Sequence, residues 1–265
     1  MAKKIIVKNL NKVYDSAHGK ITAIEDFSLE IEDGEFVCVV GPSGCGKSTL
    51  LRILAGLEPS SSGEVKIIAE PGSTKPLNNV VFQDYAIFPW KTVINNVAFG
   101  LQMRGIAKDK REKIALDWLE RVGLSKFAYY YPSQLSGGMK QRVSIARALA
   151  NDPEVLLMDE PLGALDAQTR IVLQSELLRI WEEHRKTVVY ITHSIEEAIL
   201  LGDRVIIMTA QPGRIKQSFE IDIPRPRKIE VTTSQRFSEL ASIIWQALKD
   251  EVRQAYENQV KAKVG

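Results

Sequence analysis

Short apolar or alternating runs take turns along this chain with stretches whose apolar residues recur every three or four positions, the pattern of strands interleaved with helices. Residues 5–10 read as a first strand and residues 23–32 as a second, with Phe27, Leu29 and Ile31 on one face. Asp33-Gly34 then forms a turn into the apolar run Phe36-Val37-Cys38-Val39-Val40, so the second and third strands are expected to form a hairpin. Leu50, Leu51, Ile53 and Leu54 open a buried helix. Two more short strands follow at residues 64–68 and 79–83, the second ending on Gln83, with a Pro/Gly-bearing loop at 70–76 between them.

From residue 92 to 123 the period is helical, with Ala115, Trp118, Leu119 and Val122 on one face, and no strand pattern returns until Val155. This predicts an inserted helical subdomain over 86–150, ending beyond the polar turn Tyr131-Pro132-Ser133. Next come an apolar strand closing on Asp159, a long helix with Leu173, Leu177, Ile180 and Trp181 on one side, and strands at 187–191 and 204–208 flanking a short helix from Ile195. Pro212-Gly213 turns the chain into an edge strand at 214–223. Such alternation implies an α/β fold built on a mostly parallel sheet covered on both faces, with an antiparallel β portion near the N-terminus. The expected division is a core of residues 1–85 and 151–223, the helical subdomain 86–150, and a helical tail 224–265. In the tail, Phe237, Leu240, Ala241, Ile244, Trp245 and Leu248 recur at helical spacing, which suits packing on its own domain or facing a partner.

Composition narrows the classes. The chain of 265 residues is 45% hydrophobic with a net charge of +2, so no basic face for nucleic acid is indicated. Its two cysteines, Cys38 and Cys45, have neither the number nor the spacing of a disulfide framework or zinc site, which fits a reducing cytosol. Met1-Ala2-Lys3-Lys4-Ile5 lacks the apolar core of a secretory signal, and no apolar stretch approaches the ~18 residues of a membrane span. No internal repeat is visible.

The chemistry centres on Gly41-Pro42-Ser43-Gly44-Cys45-Gly46-Lys47-Ser48-Thr49, which matches G-x-x-x-x-G-K-[ST] between a buried strand and a helix. Its glycines let backbone N–H groups approach phosphate oxygens, and the helix N-terminus behind them favours an anion. Lys47 adds a charge for the outer phosphates, and the Ser48 hydroxyl can ligate Mg²⁺.

Asp159 ends a strand, where a carboxylate can meet Mg²⁺, and neighbouring side chains diverge there, so that one of Asp159 and Glu160 can hold the metal while the other faces an attacking water, or the two can be solvated acids at a strand end. Gln83 could reach metal or water, or be a surface glutamine; His193 could donate to a γ-phosphate, or be structural. Tyr14 could stack on adenine or simply pack. Leu135-Ser136-Gly137-Gly138-Met139-Lys140-Gln141-Arg142 opens a helix with a second set of backbone donors, so two chains are expected to share one phosphate.

Together these elements resemble the ATP-binding cassette (ABC) family, over nearly all of residues 3–215, and in particular the ATPase subunit of an importer. The resemblance implies a P-loop NTPase fold with 41–49 as Walker A, Gln83 as the Q-loop residue, Leu135 to Gln141 as the signature and 155–159 as Walker B. It likewise implies Glu160 as catalytic glutamate, 163–166 as the D-loop (Gly163 standing where many cassettes have Ser), His193 as switch histidine and Tyr14 at the adenine position. Phe88-Pro89-Trp90-Lys91-Thr92-Val93, the run 163–170 and Pro224-Arg225-Pro226-Arg227 resemble the nitrate, sulfonate and taurine importer branch. The expected protein binds ATP and Mg²⁺ and pairs with a second ATPase subunit. It works at the cytoplasmic membrane face on a permease fed by a solute-binding protein, with the Gln83–Trp90 loop as the transmission surface and no nucleic-acid partner. The alternatives are a soluble cassette acting on DNA or ribosomes, a non-hydrolysing scaffold and an exporter ATPase.

Overall fold

The computed structural model describes residues 2–16 and 19–264. Its elements run β1 (Lys3–Ser16), β2 (Gly19–Glu32), β3 (Phe36–Val40), α1 (Lys47–Leu54), β4 (Ser62–Ile67), β5 (Asn78–Val81), α2 (Val93–Val97), α3 (Phe99–Met103), α4 (Lys108–Arg121), α5 (Gly137–Ala150), β6 (Val155–Asp159), α6 (Ala167–His184), β7 (Thr187–Thr192), α7 (Ile195–Leu201), β8 (Arg204–Met208), β9 (Ile215–Glu220) and α8 (Gln235–Val264). The chain divides into two compact units, one from Met1–Ile68 with Lys186–Gly265 and the other from Ala69–Arg185.

In the first unit, β1 is the middle strand of an antiparallel sheet ordered β2-β1-β4. Ile5, Val7, Leu10, Phe27, Leu29 and Ile31 form its buried face. The first strand extends to Ser16, beyond the expected end at residue 10, because register breaks around Asn9 (φ 46°) interrupt the alternation while the pairing continues.

The expected hairpin between β2 and β3 does not form. β2 pairs with β1, whereas β3 lies parallel between β7 and β8. Burial explains the separation: all five residues of β3 are buried, which requires cover on both faces, while β2 alternates and keeps one face wet. Asp33-Gly34 (Gly34 φ 75°) carries the chain from one sheet to the other, held by Gly34 N–H donating to Thr187 Oγ1 at 2.9 Å.

β9 closes this edge antiparallel to β8, α7 packs on β3, β7 and β8, and α8 packs on α7. Arg227, buried, donates to the carbonyl oxygens of Ile199, Leu200, Gly202, Ile221 and Ile223, which staples the Pro-Arg run beneath α7. In α8, Phe237, Leu240, Ile244 and Leu248 are buried as the spacing predicts, but Trp245 is not.

The second unit sets helices around the parallel pair β5–β6. α2 and α4 pack on α5, and Val93 and Val97 of α2, Ala115 and Leu119 of α4, and Val143 and Ala146 of α5 are buried. β5 stops at Val81, so Gln83 lies two residues past the strand, in a turn. Fully buried Asn96 shapes the loop between that turn and α2: its Oδ1 accepts from Phe88 N–H at 2.7 Å, and its Nδ2 donates to the carbonyls of Phe88, Lys91 and Thr92 at 3.1 Å. Among the described residues no helix is long and apolar enough to cross a membrane.

Candidate functional site

In the first unit, β3 delivers the chain into the 41–49 loop and α1 carries it away. Gly44 (φ 80°) and Gly46 (φ 103°) adopt left-handed backbone, and a Cβ on Gly46 would stand 2.7 Å from the Ala23 carbonyl oxygen. The crest at Ser43 and Gly44 is exposed, and a Cβ on Gly44 would meet nothing within 4 Å. Lys47 is buried, and its ammonium donates to the carbonyls of Gly41 (2.8 Å) and Pro42 (3.0 Å). The loop's own backbone therefore orients its one positive side chain. Burial pushes up the thiols of Cys38 and Cys45, so both behave as small apolar residues.

Tyr14 reaches the same loop from β1, its hydroxyl 3.4 Å from Thr49 Oγ1. Lys12 Nζ lies 4.7 Å from the centre of its ring and covers one face. Burial, and then the neighbouring Glu58 carboxyl, push the phenol up, so it stays neutral at physiological pH. His193 is exposed between β7 and α7. The backbone around it is tied down: Ser194 Oγ caps Glu197 N–H at 3.1 Å, and the buried Glu197 carboxylate accepts from Thr192 Oγ1.

In the second unit, Asp159 ends β6 and Glu160 follows at φ 44°, a left-handed conformation unusual for a glutamate. The 163–166 turn is braced by Gly163 N–H donating to Glu160 O at 3.0 Å and by Arg170, which donates to the carbonyls of Leu162 and Leu165. Asp166 caps α6, accepting from Thr169 N–H at 3.0 Å, and this bond holds its carboxyl below the usual range.

The 136–138 turn is built in the same unit. Exposed Ser136 is the N-cap of α5, its Oγ accepting from Met139 N–H at 3.3 Å. Space is tight at Gly137 and Gly138: a Cβ would stand 2.8 Å from Tyr85 Oη in the first case and 2.6 Å from Thr169 Cγ2 in the second, so these side chains would have to shift. The turn thus sits against both the loop after Gln83 and the start of α6. Tyr85 (φ 56°) and Ala86 (φ 48°) are held by Arg147, whose guanidinium donates to both carbonyls. Gln83 itself is exposed.

Gln141 does not join this surface. It is fully buried, on the α5 face shared with Ser144, Ile145 and Ala148, and neither amide atom has a hydrogen-bond partner among the described residues. Helical periodicity turns position 141 inward, so the expectation that it contacts nucleotide is corrected. Sequence reasoning missed Tyr85, Arg147, Thr169 and Arg170; only the glycines at 137 and 138 signalled that something presses on the turn.

The donor chemistry suits a nucleotide with a hard cation. Ser48 in the first unit and, each within the second, Gln83 and Asp159 offer oxygen atoms, the ligand type Mg²⁺ prefers. Among the described residues no group of three or more His, Cys, Asp or Glu could hold a metal.

A family model described as ABC transporter matches residues 24–163. An uncharacterized ABC transporter ATP-binding protein of Methanocaldococcus jannaschii is 50% identical over 256 residues, covering 95% of this chain and 94% of its own length. A taurine import ATP-binding protein of Burkholderia pseudomallei is 48% identical, covering 84% of this chain and 86% of its own. A dimeric structure of a bacterial ABC transporter cassette superposes with a TM-score of 0.73 at 36% identity, covering 83% of this chain and 100% of that one, and the same cassette has been solved after hydrolysis with ADP and Pi.

Proposed function

Since this chain belongs to the ABC transporter family, we propose that it is the ATP-hydrolysing subunit of an importer. It energises uptake of a small taurine-, sulfonate- or nitrate-like anion, or a related organic solute, through separate permease subunits served by a solute-binding protein. The observation that carries this reading is the Ser136–Gly138 helix start, with Ser136 exposed and both glycines half-buried, a second anion cradle of the same physical type as the 41–49 loop.

The amides of residues 41–49 cradle the triphosphate of ATP, Lys47 balances its outer charge and the free face of Tyr14 stacks on adenine. Ser136 and Gly138 of a second subunit donate to the γ-phosphate, so nucleotide favours the closed, head-to-tail pair. Glu160 orients the attacking water and accepts its proton, while His193 donates to a γ-phosphate oxygen. Ser48, Gln83 and Asp159 are the residues that would hold Mg²⁺, whose charge would offset that of the phosphate oxygens when it is bound. Loss of the γ-phosphate removes the link and the pair reopens.

The loop held by Asn96, with Trp90 71% exposed at its tip, provides the surface for the permease, and the protein works peripherally at the cytoplasmic membrane face. Affinity purification of the chain from membranes is expected to bring a polytopic membrane protein with it, and reassembly of that complex to stimulate phosphate release. Recovery of ribosomes or DNA-bound complexes without a membrane protein would overturn the reading.

A further inference from the structure

The C-terminal helix α8 carries two apolar stripes. The first, Phe237, Leu240, Ile244 and Leu248, is buried in its own unit. The second comprises Trp245, Val252 and Tyr256, separated by seven and eleven residues from the first of them, so at 3.6 residues per turn all three fall within about 20° of one line along the helix. These three are 48%, 38% and 68% exposed. A helix stabilised by its own unit alone needs only the first stripe, and the second leaves a tryptophan and a tyrosine wet.

The second stripe opens beside the nucleotide loop. A cavity of about 430 Å³ is lined by Pro42 and Ser43 of that loop, by His193 and Glu196, and by Trp245 and Tyr256 of α8. The stripe is presented firmly: Glu251, on the adjoining face, accepts from Ala210 N–H at 2.8 Å and pairs with Lys216 at 2.7 Å. Such a clamp lowers the ordering cost of any contact the helix makes.

We propose that the Trp245–Val252–Tyr256 stripe is a docking surface for a second copy of this chain, extending the interface that closes over ATP. This rests on the reading that two cassettes share the nucleotide. Continuity favours a second copy: the stripe borders Ser43 and His193, on the face where that copy arrives, and dimeric assembly is seen in the related cassette. Aromatic side chains in a partly enclosed pocket are the residue types that dominate interface energies.

The test uses full-length chains carrying Glu160→Gln, so that ATP is retained, with dimerisation followed by sedimentation. Trp245→Ala with Tyr256→Ala is expected to raise the dimer dissociation constant by about tenfold or more, a typical loss for such anchors, with ATP affinity of the monomer unchanged. Val252→Asp, a single exposed change, is expected to do the same and guards against a folding defect in the double variant. Unchanged dimerisation in both variants, with the Glu160→Gln parent dimeric, would overturn the inference. Loss of permease binding or of a small aromatic ligand instead of dimerisation would overturn it as well. A parent that stays monomeric with ATP would overturn the shared-nucleotide reading and the inference together.

Discussion

The hydroxyl of Tyr85 fills the space that a side chain on Gly137 would need: a Cβ there would stand 2.8 Å from it. The loop that follows Gln83 and the turn expected to meet a partner's phosphate therefore touch directly. Tyr85 and Ala86 both hold positive φ and Arg147 ties down their carbonyls, so the contact is set by a constrained backbone.

Gly137→Ala is expected to destabilise the fold by about 1–2 kcal/mol through overpacking. Removing the hydroxyl with Tyr85→Phe should relieve much of that cost. Urea unfolding of the two single variants and the double variant would show a coupling of about 1 kcal/mol between the positions. Additive effects would mean that the two residues do not meet.

At Glu160 chemistry and backbone conflict. Glutamate at φ 44° is strained where glycine would not be. Glu160→Gly is expected to gain about 1 kcal/mol of stability while losing ATP turnover. Glu160→Gln should lose turnover without that gain and accumulate as an ATP-bound dimer. Thermal melts and phosphate release on the same samples separate the two effects.

Trp90 and Asn96 act on one loop in different ways. Trp90→Ala, at an exposed tip, should leave stability within about 0.5 kcal/mol of the parent but reduce permease co-purification and transport-coupled hydrolysis. Asn96→Ala removes the buried bonds to Phe88, Lys91 and Thr92 and should cost about 2–3 kcal/mol as well as coupling. Chemical denaturation, alongside reconstituted transport, distinguishes these outcomes.

Asp166 supplies an acid-sensitive contribution. Its carboxyl is held below the ordinary value near 3.8 by the bond from Thr169 N–H, so folding favours the ionised form. The stabilisation is complete above the unfolded-state value and fades as pH falls through the lowered one. Asp166→Asn, which caps without ionising, should flatten this part of the acid limb in melts recorded from pH 6 downward.

Much of the fold is legible in one dimension because burial leaves a period. The continuous apolar run of β3 marks a strand covered on both faces, and the stripe through Leu173, Leu177, Ile180 and Trp181 marks the inner face of α6. The same run says nothing about its neighbours in the sheet, so the turn at Asp33-Gly34 looked like a hairpin and proved to be a passage between sheets. Gln141 failed for a related reason. Its place beside the signature glycines is a fact of order along the chain, whereas the helix rotates it inward.

Chain order alone determined the strand–loop–helix that carries Lys47, the acids closing β6 and the glycine pair opening α5, since each depends on residues adjacent in sequence. The tertiary structure decided what presses on them: Tyr85 and Thr169 against the two glycines, a left-handed twist at Glu160, and α8 beside the nucleotide loop. Contacts between residues distant along the chain leave no periodic trace, because the packing that selects them acts on neighbours in space.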